Sequence, residues 1–342
     1  MQPIHTLHDF FIRSGARVHL YHLGRRVIPC SLDTLAAFES GEQPWPYPWQ
    51  GQARLACVFT LGDAPDPLTW FLALPLDEQG CLVPAPRDAF VQRLLETLGR
   101  SVEPTAQDTT PTDNLMKDNP LAFTPPLPFQ AVMHARASQA FDRPASQHLE
   151  LVEAYLAGEQ NDDQWPALGL QGLADFAIRH DSEQETMLAH RLPRLPIEVL
   201  RSLCFCLEHV TIDIPLTKAL RECGERAAHN GDLETLCACV RAVGAGPDEE
   251  VGAWFDELLG DPHACGPDLL AAMAARGWEH LEDDRRLPLF LQRLAEHPQA
   301  DFSALARDLA LIPRLRLPLL MCLREAPADS AIGRRLAPLH RQ

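Results

Sequence analysis

The sequence predicts a two-part fold. A small α+β domain with an antiparallel sheet is expected over residues 1–98, and an all-α domain, either a solenoid-like helical repeat or a helical bundle, over residues 129–342. Three observations carry this expectation. Short apolar segments of strand length, set off by turn residues, occur only ahead of residue 99. Between residues 99 and 128 the apolar periodicity lapses, and Glu103 to Asp113 has the Thr, Asp, Pro and Gln composition of a linker. From Phe129 onward apolar residues recur at helical spacing, punctuated by Gly, Pro and Asp-Pro.

Within the first part, Thr6 stands three residues before Asp9 and just ahead of Phe10, Phe11 and Ile12, the pattern of a capped helix that Gly15 then stops. Arg17 to Leu23 reads as a strand, Gly24 as a turn, and Arg26 to Ile28 as a second short strand ending at Pro29. Ser31 is an N-cap for a helix whose Leu32, Leu35 and Phe38 share a face, closed by Gly41. Leu55 to Leu61 and Thr69 to Leu76 are strands. A tight turn at Asp77 to Gly80 leads to Cys81 to Val83, and a helix follows from Pro86 through Leu98 with Phe90, Leu94 and Leu98 in register. Short connections make these strands antiparallel neighbours.

In the second part, Asp232-Leu233, Asp268-Leu269 and Asp301-Phe302 each open a helix, at starts 36 and 33 residues apart by subtraction. That is the period of a two-helix repeat, and it favours the solenoid alternative.

The stretch that poses the functional question is Gln43 to Gln52, where three prolines alternate with Trp45, Tyr47 and Trp49. Each proline fixes its own φ and extends the residue before it, so the run is neither helix nor central strand. Its aromatics either cap the core or are displayed to a partner. Arg25 and Arg26 lie near a strand end some twenty residues earlier, and the same two alternatives hold for them. Guanidiniums beside displayed aromatics hold an acidic or extended peptide; guanidiniums stacked on aromatics inside a domain seal its edge.

The net charge of −17 opposes the counterion release on which nucleic-acid binding depends, as it opposes docking on anionic lipid. No basic stripe offsets it, so no nucleic-acid partner is expected. The most apolar window, Leu309 to Leu323, is broken by Arg314, Arg316 and two prolines, so no membrane span is expected. The N-terminus shows no secretory pattern, and ten cysteines without one read as reduced thiols of a cytoplasmic chain.

Residues two apart on a helix point to nearly opposite sides. Cys204 with Cys206, and Cys237 with Cys239, are therefore buried small side chains rather than metal chelates. The His-rich zinc signatures, the nucleophile elbow, the P-loop and the dinucleotide fingerprint are all missing. No metal or other cofactor is expected, and the prior for an enzyme falls. His180-Asp181, at an expected helix end, is accounted for by the helix dipole.

The strings Leu23-Gly24-Arg25-Arg26-Val27, Pro44 to Gln50, Lys117-Asp118-Asn119-Pro120, Phe123-Thr124-Pro125, Pro144-Ala145-Ser146 and Gly169-Leu170-Gln171-Gly172-Leu173-Ala174-Asp175 together resemble a bacterial family known only as a domain of unknown function. The resemblance runs along the whole chain. It implies a bacterial cytoplasmic protein and carries over no activity and no catalytic residue. It also implies that Lys117 to Pro125 is an ordered arm, leaving residues 99–114 as the mobile part of the linker.

Two functional readings follow. The first is an interaction or adaptor protein that docks another protein through a helical-repeat surface and the run at Trp45, Tyr47 and Trp49. The second is an enzyme or small-molecule binder with Arg25 and Arg26 as an anion site at an interdomain cleft.

Overall fold

The computed structural model describes residues 4–62, 64, 66–100, 115–117, 119–263 and 265–337. Most of the expected linker, residues 101–114, lies outside the described residues, as does Asp118. The chain forms two compact units, Met1–Pro126 with Leu311–Pro313, and Leu127–Ala310 with Arg314–Gln342.

Among the described residues the first unit holds a four-stranded antiparallel sheet and three longer helices, with further helical residues at 115–117. Helix α1 (Leu7–Ser14) starts where the Thr6 side chain accepts from the Asp9 N–H, and it ends at Gly15 with φ of 66°. Strands β1 (Arg17–His22), β2 (Ile28–Cys30), β3 (Gln52–Thr60) and β4 (Leu68–Pro75) are ordered β2-β1-β3-β4. Helix α2 (Leu32–Glu39) begins at the Ser31 cap, and α3 (Pro84–Arg100) starts two residues earlier than its proline signal at Pro86, with Pro84 also in the first turn.

The second strand is Ile28–Cys30 rather than Arg26 to Ile28. Proline sits inside it, opposite Tyr21, because β2 is an edge strand and one face of its backbone needs no donor. Arg26 and Val27 belong instead to a buried loop. The opposite edge, β4, is covered by the chain itself: Ala73 donates to Leu121 O at 2.8 Å, and Phe123 donates to Phe71 O at 3.2 Å.

The core of this unit is aromatic. Phe10, Phe11, Phe59 and Trp70 pack at ring centroid distances of 4.6 to 6.4 Å, and Phe90 of α3 closes on Trp70 at 5.7 Å. Glu39, at the end of α2, is buried there. Its carboxylate accepts from the Leu7 and His8 N–H groups at 2.9 and 2.8 Å and from Arg87 Nη1 of α3 at 2.7 Å. One carboxylate thereby satisfies the orphan donors of α1 and joins three helices.

The second unit is helical. Its elements are α4 (Leu127–Ala140), α5 (Leu149–Leu156), α6 (Leu170–Arg179), α7 (Ser182–Arg191), α8 (Ile197–Leu207), α9 (Ile214–His229), α10 (Leu233–Ala242), α11 (Asp248–Gly260), α12 (Pro267–Arg276), α13 (Arg286–Glu296), α14 (Phe302–Ala310), α15 (Pro313–Glu325) and α16 (Ala331–Leu336). From α6 to α12 each helix packs on the one two places further along. Helices α6, α8, α10, α12 and α14 make one layer and α7, α9, α11 and α13 the other. This is a two-layer helical repeat, not a bundle. Helices α8, α10, α12 and α14 start at Ile197, Leu233, Pro267 and Phe302, 34 to 36 residues apart by subtraction.

The repeat also sets which polar groups meet. Arg201 bonds Glu234, Arg241 bonds Glu208, Arg221 bonds Glu257 and Arg286 bonds Asp256, at separations of 33, 33, 36 and 30 residues. Each pair ties a helix to its neighbour one repeat away. Glycine allows close approach of neighbours within a layer: a Cβ on Gly244, just past α10, would lie 2.5 Å from the carbonyl oxygen of Arg276 at the end of α12.

Candidate functional site

The turn after β1 and the proline-aromatic run fold against each other. Loop residues Leu23, Arg25, Arg26 and Val27 are all buried. Gly24 is required by contact, because a Cβ there would lie 2.7 Å from Trp49 Cβ and 3.2 Å from the Tyr47 carbonyl oxygen. Arg25, 0% exposed, donates from Nε to the Pro48 carbonyl at 3.0 Å, and its guanidinium lies over the Trp49 ring at 5.3 Å.

The three aromatics of the run have different fates. Trp45 is 0% exposed, packs on Phe38 and His22 at 4.8 and 4.6 Å, and donates its backbone N–H to Gly80 O. Tyr47 is half-buried and meets the His22 ring edge-on at 4.7 Å. Trp49, also half-buried, exchanges backbone hydrogen bonds with Gln52 across a tight turn in which Gln50 and Gly51 have φ of 51° and 74°. The chain thus brings Arg25, Trp45, Tyr47 and Trp49 into one neighbourhood, with Arg26 buried next to Arg25 in the loop, and the contacts of Arg25 and Trp45 there are internal.

Beside the run is a cavity of about 450 Å³. Tyr47, Pro44 and Pro46 form part of its wall, with His22, Ile28 to Ser31 and Thr34. Among the described residues Arg25, Arg26, Trp45 and Trp49 do not line it, nor does any other Asp, Glu, Lys or Arg. Burial holds the His22 imidazole neutral, its pKa lowered to about 3, and pushes the Cys30 thiol up to about 12. His22 Nδ1 has no hydrogen-bond partner. Ser31 caps α2 and shares a 2.8 Å hydrogen bond with Thr34 at the same wall.

His22, Cys30 and Thr34 were not singled out by sequence reasoning. The available signal was the alternation of β1, which sends His22 and Leu20 to the same side of the sheet. A second hollow, about 650 Å³, lies along α1 and α2 and is lined by Asp9, Asp33, Glu39 and Glu42 among others. Glu39 is committed there to α1 and Arg87.

In the helical unit the densest charge cluster surrounds Glu208, which follows the last residue of α8. Its buried carboxylate accepts from Arg241 Nε and Nη2 at 2.7 and 3.0 Å and from Arg276 Nε at 2.7 Å. Burial alone raises the Glu208 pKa, but Arg276 and Arg241 outweigh it and hold the carboxylate ionised. His209 beside it is kept neutral by burial. The cysteine pairs behave as packing groups: all ten cysteines are unbridged, and Cys204, Cys206 and Cys239 are buried. His180 Nδ1 lies 3.0 Å from the Ala177 carbonyl at the end of α6, and Asp181 forms a capping box with Gln184 that opens α7.

One helix of this unit keeps a large apolar face in solvent. On α15, Leu315 and Leu319 point inward, whereas Leu317, Leu320 and Met321 are 67%, 46% and 42% exposed. Arg314 and Arg324 are exposed on the same helix.

Among the described residues there is no cluster of three or more His, Cys, Asp or Glu able to hold a metal ion, and no helix long and apolar enough to cross a membrane. No curated protein and no solved structure matches the chain. A match over residues 2–340 shows that the chain belongs to the family described as protein of unknown function, DUF3549.

Proposed function

We propose that this chain is a cytoplasmic protein-interaction adaptor whose docking surface lies on the helical-repeat unit, with α15 as its centre. The observation that carries the reading is the exposed row Leu317, Leu320 and Met321, at i, i+3 and i+4 of one helix. Three large apolar side chains on one face form the kind of contiguous patch that marks interaction sites. Charge selects the occupant. In a chain of net charge −17, α15 carries Arg314, Arg316 and Arg324 against its one carboxylate, Glu325, with Arg314 paired to Glu282 at 2.9 Å and Arg324 to Glu325 at 3.6 Å on the exposed surface. An amphipathic helix with an apolar stripe and acidic flanks complements that surface. Ten unbridged thiols support the reducing compartment.

The test is fluorescence anisotropy with a designed peptide helix carrying Leu at i, i+3, i+4 and i+7 and Glu elsewhere, against the same peptide with Lys for Glu. The reading expects saturable binding of the acidic peptide, weakened by salt, and at least tenfold loss in Leu317→Ser/Met321→Ser with unchanged helicity. Equal binding of both peptides, or binding indifferent to the double substitution, would overturn it. Self-association abolished by the same variant would make the occupant a second copy of the chain.

A further inference from the structure

We propose that the cavity beside Tyr47 is a binding site for a small, uncharged, planar heterocycle. The inference does not rest on the adaptor reading: the cavity wall includes Pro313, which clusters with the sheet-containing unit, but not Leu317, Leu320 or Met321.

Three observations converge on that chemistry. Size comes first: about 450 Å³ lies within the range of small-molecule pockets. The walls come second. Tyr47, half-buried, and the rings of Pro29, Pro44 and Pro46 offer flat apolar surfaces, the lining against which planar rings stack. The backbone of the prolines is fixed in φ, so this surface is preorganised rather than assembled on binding.

The third observation is charge. Charged residues make up 23% of the chain, yet among the described residues no Asp, Glu, Lys or Arg lines the cavity. The titratable groups that do line it are neutral across physiological pH. His22 is kept unprotonated by burial, and burial likewise keeps the Cys30 thiol protonated. A ligand with a full charge would leave water for a wall with no counter-charge, at a desolvation penalty that nothing offsets. An uncharged ring meets hydroxyls at Ser31 and Thr34 and the side-chain amide of Gln43. His22, whose Nδ1 makes no hydrogen bond within the protein, borders the same space. The composition thus offers stacking surfaces plus a few neutral hydrogen-bonding groups, and discriminates against anions and cations alike.

This site differs in kind from an anion site built on Arg25 and Arg26. Arg25 bonds the Pro48 carbonyl and stacks on Trp49, and neither arginine lines the cavity.

The experiment uses the full-length chain and ligand-observed saturation-transfer NMR, followed by titration. Probes are indole, adenine, uracil and nicotinamide, with nicotinate as the charged counterpart of nicotinamide. The expected result is saturable binding of at least one uncharged probe, with a shift of the His22 ring resonance. Nicotinate should bind at least tenfold more weakly than nicotinamide or not at all. Ile28→Trp fills the cavity from the edge strand, at a position only half-buried in the native fold. It should abolish binding while leaving the melting temperature within a few degrees, and Trp49→Ala, outside the lining, should leave the affinity unchanged. Failure of all four uncharged probes to saturate would overturn the proposal. Equal binding of nicotinate, or undiminished binding in a folded Ile28→Trp variant, would do the same.

Discussion

Arg276 Nε donates a 2.7 Å hydrogen bond to Glu208 Oε1, joining residues 68 positions apart, which is two repeats of the helical unit. Arg241, one repeat from Glu208, holds both oxygens of the same carboxylate. Three successive helices of one layer, α8, α10 and α12, are thereby tied through a single buried anion. A carboxylate just past a helix C-terminus is opposed by the helix dipole and by its own desolvation, so this one persists because two guanidiniums compensate both.

Removing one partner strands the others. Glu208→Ala should destabilise the helical unit by about 3 kcal/mol, because the buried Arg276 and the half-buried Arg241 lose their shared counter-charge. Urea unfolding followed by far-ultraviolet circular dichroism measures it. Arg276→Met in the same background should recover part of the loss, since an apolar replacement of a buried pair is often nearly neutral. If the two substitutions simply add, the pair does not act as a unit.

The proline-aromatic run is a core seal at Trp45 and a cavity wall at Tyr47, and the two substitutions should separate. Trp45→Ala is expected to cost about 3–5 kcal/mol in the sheet-containing unit, as for other fully buried aromatics. Tyr47→Ala, at a half-buried ring, should cost less than half of that. Hydrogen exchange of β1 and β3 amides distinguishes local loss from global unfolding. Equal effects would contradict the assignment of separate roles.

His22 has a folded-state pKa lowered by burial from its ordinary 6.5 to about 3. Below pH 6.5 the unfolded chain takes up a proton that the folded unit refuses, so stability falls as pH drops from about 6.5 toward 3 and is unaffected above that window. The slope attributable to this group is about 1.4 kcal/mol per pH unit. His22→Gln should flatten the dependence by that amount between pH 6 and pH 4.5. In the native protein the ring resonance should remain that of a neutral imidazole at pH 5, and a midpoint near 6.5 would refute its burial.

Cys57, Cys204 and Cys206 are buried; burial raises the pKa of the Cys57 and Cys206 thiols, and a hydrogen bond to Cys239, with burial, raises that of Cys204. Disulfide-exchange reagent at pH 8 should leave these three unmodified in the native chain and reach all ten thiols in urea, as peptide mapping will show.

Much of the local structure was legible in the sequence. Thr6 and Ser31 cap their helices because a hydroxyl before an apolar run has few competing uses, and Asp232 caps α10 for the same reason. The repeat was visible in the spacing of those starts, since stacked units reuse one pattern. What stayed hidden was long-range. Glu39 with Arg87, and Glu208 with Arg276, are 48 and 68 residues apart, and nothing local marks either partner. Alternating prolines likewise fixed the backbone of the run without stating which side each aromatic takes. Gly24 was the missing clue, for it lacks a side chain where Trp49 presses on the loop. The exposed face of α15 stayed hidden as well, because apolar pattern alone does not say which stripe of a helix is covered.

The measurement that bears most directly on the adaptor reading is in-cell photo-crosslinking from position 320, with a benzophenone side chain replacing Leu320, and sequencing of the crosslinked segment. The account predicts one dominant partner joined through an acidic amphipathic helix, with the crosslink lost in Leu317→Ser/Met321→Ser. A crosslink spread over unrelated proteins, or one confined to neutral or basic segments, would contradict it.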